Sequence, residues 1–319
     1  MLPYIVHTFF LFFVLRNQAG YNHGMKVHCH TQADRATVSY ARFMWETMLK
    51  LSSRPNEMRL TVHCMNQSAH DSIKQWSDYG RTVDSIVVPD NGKTLGGSTG
   101  HGACVMSTLK LTGDGSVHVI ADSDTVIVAK GWDDYVRTRL VNDRVGLIGS
   151  TYEDLGGINS GSAEVQTYKK IPTLTWCALS PHHDWRSLDV MPDKTHIVNI
   201  TDDKLSSVYN LPIGYSIFGE VGWQIPQYLH DNDLSYEGWR QLKPSIDATV
   251  LKGLSDYHEE FHVGDVPFLT HHRGSLRHAY RGDKMSRDFY DRIDQWLTVE
   301  EKKPAHWTWS DKGVTVPRF

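Results

Sequence analysis

From Met25 to Val88 strand-like and helix-like patterns follow one another in strict alternation, and that order constrains the fold of this chain more than any other feature. Residues 26–30, 60–65 and 84–88 are short apolar or β-branched runs. Between them, residues 36–51 carry Val38, Ala41, Met44, Trp45, Met48 and Leu51 at helical spacing, and residues 68–79 read as a polar helix. Parallel strands need long crossover connections, so a strand–helix–strand–helix–strand order predicts a parallel sheet with helices on its faces. With 319 residues, 40% of them hydrophobic, the chain can bury one large core, and no repeat or linker divides it.

In open α/β sheets ligands collect outside the carboxyl ends of the strands. In Val117-His118-Val119-Ile120-Ala121-Asp122-Ser123-Asp124-Thr125-Val126-Ile127-Val128, two carboxylates one residue apart interrupt an apolar, β-branched run. This reads as a buried strand whose carboxyl end carries Asp122 and Asp124. A turn needs one Asp and seldom two flanking a Ser in so apolar a setting, so the pair points to a divalent cation held by hard oxygen ligands. Just before it, residues 92–103 are rich in glycine and lead into a helix at 104–111, an approach that can bring backbone N–H groups against a phosphate or sugar. The GxxxxGK[ST] spacing of a P-loop is missing. Thr31, Asn66 and Asp90 end the first three strands, with Lys93 and His101 in the following loop, and these five are candidate contacts to a ligand at that edge.

The second half is read as a helix at 131–140, a strand at 145–150, an apolar run at 171–179, a polar irregular stretch at 182–204 and renewed order at 215–228. Glu220, in Gly219-Glu220-Val221-Gly222-Trp223-Gln224-Ile225, opens an apolar helical pattern, where a carboxylate either favours the helix dipole or serves as a base. Asp184, in His182-His183-Asp184-Trp185, is the reserve candidate. Of the ten tryptophans, Trp223 and Trp185 lie near loops of this half and are the choices for stacking on a ligand ring. A late strand end, Phe268-Leu269-Thr270-His271-His272-Arg273-Gly274-Ser275-Leu276-Arg277, runs into a polar loop. Phe289, Ile293, Trp296 and Leu297 predict an amphipathic helix over 286–297, and residues 302–319 read as a free tail or a lid.

A nucleotide-binding half followed by Asp122-Ser123-Asp124 about a hundred residues after Met25 resembles the glycosyltransferases of the GT-A type, whose signature is Asp-x-Asp. The resemblance covers roughly residues 25–283. It implies a three-layer α/β/α sandwich with a mostly parallel central sheet, a nucleotide-sugar-binding half at 25–128 and an acceptor half at 129–285, followed by a C-terminal helix and tail at 286–319. It further implies a UDP- or GDP-sugar donor, a glycan or other hydroxyl acceptor, and Mn²⁺ or Mg²⁺ bridging the acids and the diphosphate. Asp124 is then the direct metal ligand, and Asp122 shares the metal or contacts the ribose. His271-x-x-Gly274-x-x-Arg277 is similar to the late His-x-x-Gly-x-x-Lys segment of some such enzymes, which places His271 on the metal, with His272 as rival, and Arg277 on phosphate. Arg in place of Lys keeps the charge and adds bidentate grip. Glu220, with Asp184 in reserve, becomes the base that deprotonates the acceptor. Glu220 favours inversion and the His271 segment retention, so stereochemistry stays open.

A haloacid-dehalogenase-type phosphatase is the rival class, with Asp122 as nucleophile and Asp124 as acid/base. That motif normally opens its domain, whereas a full βαβαβ unit precedes it here. A non-catalytic sugar- or nucleotide-binding protein of the same fold is the third reading. A nucleotidyltransferase fits less well, because Thr31-Gln32-Ala33-Asp34-Arg35 after the first strand has no glycine. The formal net charge of −4 argues against nucleic acid as a partner. Cys29, Cys64, Cys104 and Cys177 lack CxxC spacing, which points to reduced thiols in a cytoplasmic location and away from a zinc site. Residues 2–15 are apolar apart from His7 and short for a membrane span. Residues 1–24 are therefore read as an anchor, a membrane-surface segment or an upstream extension, with the fold beginning near Met25.

Overall fold

The computed structural model describes residues 25–88, 97–151, 171–219, 221–273 and 284–307. The expectations for residues 1–24, the start of the glycine-rich approach and the end of the tail lie outside them. No helix among the described residues is long and apolar enough to cross a membrane.

The alternation over residues 25–88 is realised as β1 (Val27–Ala33), α1 (Val38–Leu51), β2 (Met58–Cys64), α2 (Gln67–Ile73) and β3 (Val83–Val87). After these come α3 (Gly97–Leu109), β4 (Val117–Ala121), β5 (Thr125–Ile127), α4 (Trp132–Leu140), β6 (Val145–Ser150) and β7 (Trp176–Leu179). The remainder is β8 (Asp193–Asn199), α5 (Asp203–Tyr209), β9 (Ser216–Gly219), α6 (Ile225–Asp231), β10 (Ser235–Leu242), β11 (Glu259–Val263), β12 (Val266–His271) and α7 (Lys284–Glu300).

Ten strands form one sheet in the order β3-β2-β1-β4-β7-β6-β10-β11-β12-β5. β1 runs parallel to β2 and β4, β2 to β3, and β6 to β10, while β7 lies antiparallel between β4 and β6. Six of the first seven strands in that order therefore point the same way, as the mostly parallel α/β expectation requires. Alternating side chains feed two cores. Val119, Ala121, Ile148, Trp176 and Ala178 pack with residues of α1, α4 and α7 on one face. Ile120, Leu147, Cys177 and Leu179 pack with residues of α3, α5 and α6 on the other.

The strand expected to end at Asp122 and Asp124 is β4, and the apolar residues that follow the two acids form a separate strand, β5. Asp122 ends β4, and its carbonyl accepts the Thr125 N–H at 3.0 Å and the Thr125 hydroxyl at 2.7 Å, closing a turn that launches β5. In the sheet order β5 stands six positions from β4. In a flat sheet those six steps span about 29 Å. The link from Ala121 to Thr125 reaches at most about 14 Å. The β10-β11-β12-β5 end must therefore curl back toward the carboxyl end of β4, and Val126 and Ile127 join the same core as Val119 and Ala121.

Other differences have local causes. The polar stretch 182–204 contains β8, which pairs only with β9 in a separate two-stranded ribbon. Ile197 on it is 48% exposed, so no buried face imprints an alternation on the sequence. The tail is not free at its start: Trp307 is buried against Tyr135 and Phe268, and its carbonyl lies where a Cβ on Gly131 would fall, at 2.7 Å, which with φ +81° reserves that position for glycine. The four cysteines are free and buried. Burial pushes the thiols up, Cys64 and Cys104 to about 12.

Candidate metal centre

Three ligating side chains meet at the carboxyl edge of the sheet. One ligand atom each of Asp122, Asp124 and His271 lies within 4.8 Å of the others. Asp122 and Asp124 come from the β4–β5 turn. His271 ends β12 and sits across from Thr125 in the β12–β5 pairing, so the curl of the sheet delivers the third ligand. The His272 N–H donates to the Asp124 carbonyl at 3.0 Å and locks the junction.

Each ligand is held from behind. His271 Nε2 lies 3.4 Å from Asp124 Oδ1, while Nδ1 is 2.7 Å from Glu259 Oε2 on the paired strand β11. Gln241 on β10 donates its amide to the other Glu259 oxygen at 3.0 Å. A carboxylate behind a histidine fixes the ring and raises its basicity toward a metal. On the other side, the Gln32 amide at the end of β1 donates to Asp122 Oδ1, and His101 Nε2 on α3 lies 3.4 Å from the same oxygen. Glu259→Gln should therefore weaken Mn²⁺ binding by about 10- to 100-fold. Isothermal calorimetry reads this directly, and an unchanged dissociation constant would remove Glu259 from the centre.

The electrostatics are those of a cation site. Burial opposes charge on His271, yet Asp124 and Glu259 together hold it well above the ordinary imidazole value. Burial also raises Asp122, helped by Asp124 and opposed by His101 and His271. The hydroxyl of Tyr290 on α7 is pushed well up, by burial first and then by the charge of Asp124, and has no hydrogen-bond partner among the described residues. The Thr31 hydroxyl, two residues before the end of β1, is likewise buried without a partner among the described residues. Two carboxylates and one imidazole suit Mn²⁺ or Mg²⁺ as a donor set.

Metal binding at this centre should release protons, because the cation replaces the proton that the raised His271 carries. The affinity for Mn²⁺ is then expected to tighten from pH 6 to pH 8. Calorimetry in two buffers of different ionisation enthalpy measures the released proton. Without metal the sign reverses: the charged His271 bridge stabilises the fold fully below the unfolded histidine value, near 6.5, and that contribution fades as pH rises through the raised value.

The other sequence candidates divide clearly. His101 joins the centre. Asn66 caps α2, accepting the Ala69 N–H at 2.9 Å. Asp184 is not brought to the centre: β7 runs against β4, pairing Trp176 with Ala121 and Leu179 with His118, so the segment after Leu179 leaves at the opposite edge of the sheet. There the Asp184 carboxylate is exposed, paired with Arg186, and accepts the Arg186 N–H. Trp185 is core, its indole donating to the Ser180 carbonyl at 2.9 Å. Trp223 is half-buried and stacks on His196 with ring centroids 4.3 Å apart. Its neighbour Gln224 donates to the Met191 carbonyl, and Met191 and Pro192 lie against Gly102 of α3, the residue after His101. Asp90, Lys93, Glu220, Gly274 and Arg277 lie outside the described residues. Gln32, Glu259 and Tyr290 are not marked by any local sequence signal: Glu259 and Glu260 open a strand, Glu-Glu-Phe-His-Val, that is too polar for a buried acid to stand out.

No family model matches this sequence, and no curated protein matches it. Among solved structures the chain is similar to a mannosyltransferase, PcManGT from Pyrobaculum calidifontis in complex with GDP-Man and Mn²⁺, at 12% identity over 63% of this chain with a TM-score of 0.38. It is also similar to residues 1–349 of TarS from S. aureus, at 12% identity over 61% of this chain with a TM-score of 0.34. The matches cover 60% and 58% of those two chains, so this chain spans about three fifths of their length. What the structure itself defines is an α/β protein with an acidic, histidine-completed group at the carboxyl edge of a mostly parallel sheet.

Proposed function

We propose that the chain is a metal-assisted glycosyltransferase of the GT-A type, transferring a sugar from a nucleoside-diphosphate donor to an acceptor hydroxyl. The observation that carries this reading is the convergence of Asp122, Asp124 and His271 directly after a complete βαβαβ unit. The three residues would hold Mn²⁺ or Mg²⁺. When bound, that ion supplies Lewis-acid neutralisation of the charge that grows on the departing diphosphate.

The protein's own groups do the remaining work. Gln32 and His101 orient Asp122, and Glu259 orients His271, so the site is preorganised for a dianionic leaving group. Tyr290 and Thr31 offer buried hydroxyls with unused hydrogen-bonding capacity beside the donor. Arg277 is assigned to phosphate, with Gly274 allowing the loop to approach it, and Asp90 and Lys93 to the nucleotide. Glu220 is the acceptor base in this reading, with the face of Trp223 available to the acceptor sugar.

The test is a thermal-shift screen of UDP- and GDP-sugars with and without Mn²⁺, paired with an aryl phosphate assay. A donor at a hundredfold excess over its dissociation constant should add about 2.7 kcal/mol, and the shift should need the metal. No shift with any donor overturns the reading, and phosphate release from the aryl ester without hydrolysis of a nucleotide sugar overturns it in favour of the phosphatase class.

A further inference from the structure

A second set of ligating groups lies on the α3 face of the sheet, apart from the centre at its carboxyl edge. His28 and His30 are two residues apart on β1 and so share one face. His118 on β4 pairs with His28, and His63 on β2 completes the group. His30, His63 and His118 are 1, 1 and 2% exposed, and one nitrogen each of His28, His30 and His118 lies within 4.8 Å of the others. His30 Nε2 is 3.0 Å from His118 Nδ1, and His30 Nδ1 is 3.2 Å from His63 Nε2.

We propose that His28, His30 and His118 form a second metal site, for a borderline transition cation of the zinc class, that cross-links β1 and β4. The donors argue for that class and against Mg²⁺ or Mn²⁺, since an all-imidazole set suits Zn²⁺, Co²⁺, Ni²⁺ or Cu²⁺. The outer nitrogen of His118 is taken by Asp114 Oδ1 at 3.0 Å, which leaves Nδ1 facing the cluster and supplies the carboxylate behind a ligand that metal-binding histidines usually have. Thr61 Oγ1 does the same for His28 Nε2 at 2.8 Å. Asp114 is half exposed and His28 half buried, so an ion can enter from that edge. Beside the three ligands, His63 Nδ1 is buried without a hydrogen-bond partner among the described residues.

The protonation state agrees with this use. Burial first, then the His118 ring and Arg59 against the opposing charge of Asp114, hold His28 at about 4, and burial and His28 hold His63 at about 3. Burial with three neighbouring rings keeps His30 well below the ordinary value, and burial lowers His118 despite the opposing charge of Asp114. Neutral imidazoles are the form that binds metal.

The site is independent of the proposed activity, and its test can be run without a sugar donor. Metal-stripped Asp124→Ala protein, which has lost the first centre, is titrated with Co²⁺. We expect one equivalent to bind with the intense visible d–d bands of a tetrahedral nitrogen environment, to be displaced by Zn²⁺ and not by Mg²⁺. The bands should disappear in Asp124→Ala chains that also carry His118→Gln or His28→Gln. The half-buried His28 variant decides the matter if His118→Gln fails to fold, with circular dichroism as the check. Absence of the bands in Asp124→Ala, or their survival in a folded His28→Gln chain, overturns the site.

Discussion

Asp124→Ala should abolish metal-dependent turnover of the nucleotide-sugar donor, lowering it by about a thousandfold, while the protein stays folded. The magnitude follows from the role: a Lewis acid at a developing diphosphate contributes several kcal/mol, and about 4 kcal/mol is a thousandfold in rate. The side chain is placed for that role, being only 8% exposed and facing His271 Nε2 at 3.4 Å. Its loss leaves His271 still paired with Glu259, so no charge is stranded and the melting temperature should move by a few degrees at most. Asp124→Asn, which keeps the shape and removes the charge, should behave like alanine in turnover. Donor hydrolysis followed with Mn²⁺ present and absent measures the effect. Turnover within threefold of the parent, with unchanged metal dependence, would remove Asp124 from the mechanism.

The same residues show what a sequence does and does not reveal here. Asp122 and Asp124 were legible because buried acids violate the pattern around them, and α1 because Ala41, Met44, Trp45, Met48 and Leu51 all reach the core at helical spacing. The local pattern of β5 was legible, yet its partner β12 was not, since pairing across so long a separation leaves no local trace. The consequence is that His271 could be suspected from the His-x-x-Gly-x-x-Arg spacing, whereas Glu259 behind it could not. Gln32 was hidden for a related reason: it continues the His28-His30 face of β1, and only the parallel register with β4 brings it to Asp122. β8 escaped because a two-stranded ribbon with an exposed Ile197 has no apolar face to print on the chain.

Glu260, next to Glu259, is expected to give the opposite phenotype, and the pair separates site from scaffold. Successive side chains of a strand point to opposite faces, so while Glu259 turns to His271, Glu260 turns into the protein and is 0% exposed. Its carboxylate accepts three successive backbone N–H groups, from Thr249 at 2.8 Å, Val250 at 2.9 Å and Leu251 at 2.8 Å, and pairs with His262 Nε2 at 2.6 Å. Those N–H groups belong to the segment that puts Val250 and Leu251 in the main core. Removing the carboxylate strands the buried N–H donors of Val250 and Leu251 and a buried imidazole, and breaking a buried charged network costs about 3–5 kcal/mol. Glu260→Gln should recover only part of this, because its amide keeps one accepting oxygen and turns N–H groups toward N–H groups. Urea denaturation of Glu260→Ala, Glu260→Gln and Glu259→Gln measures the contrast. Glu260→Ala should lose most of the stability of a typical domain with its Mn²⁺ affinity changed by less than threefold in the folded fraction, and Glu259→Gln should do the reverse. A loss below about 1 kcal/mol in Glu260→Ala would mean that the 249–251 segment satisfies its donors elsewhere, and the carboxylate anchor would have to be abandoned.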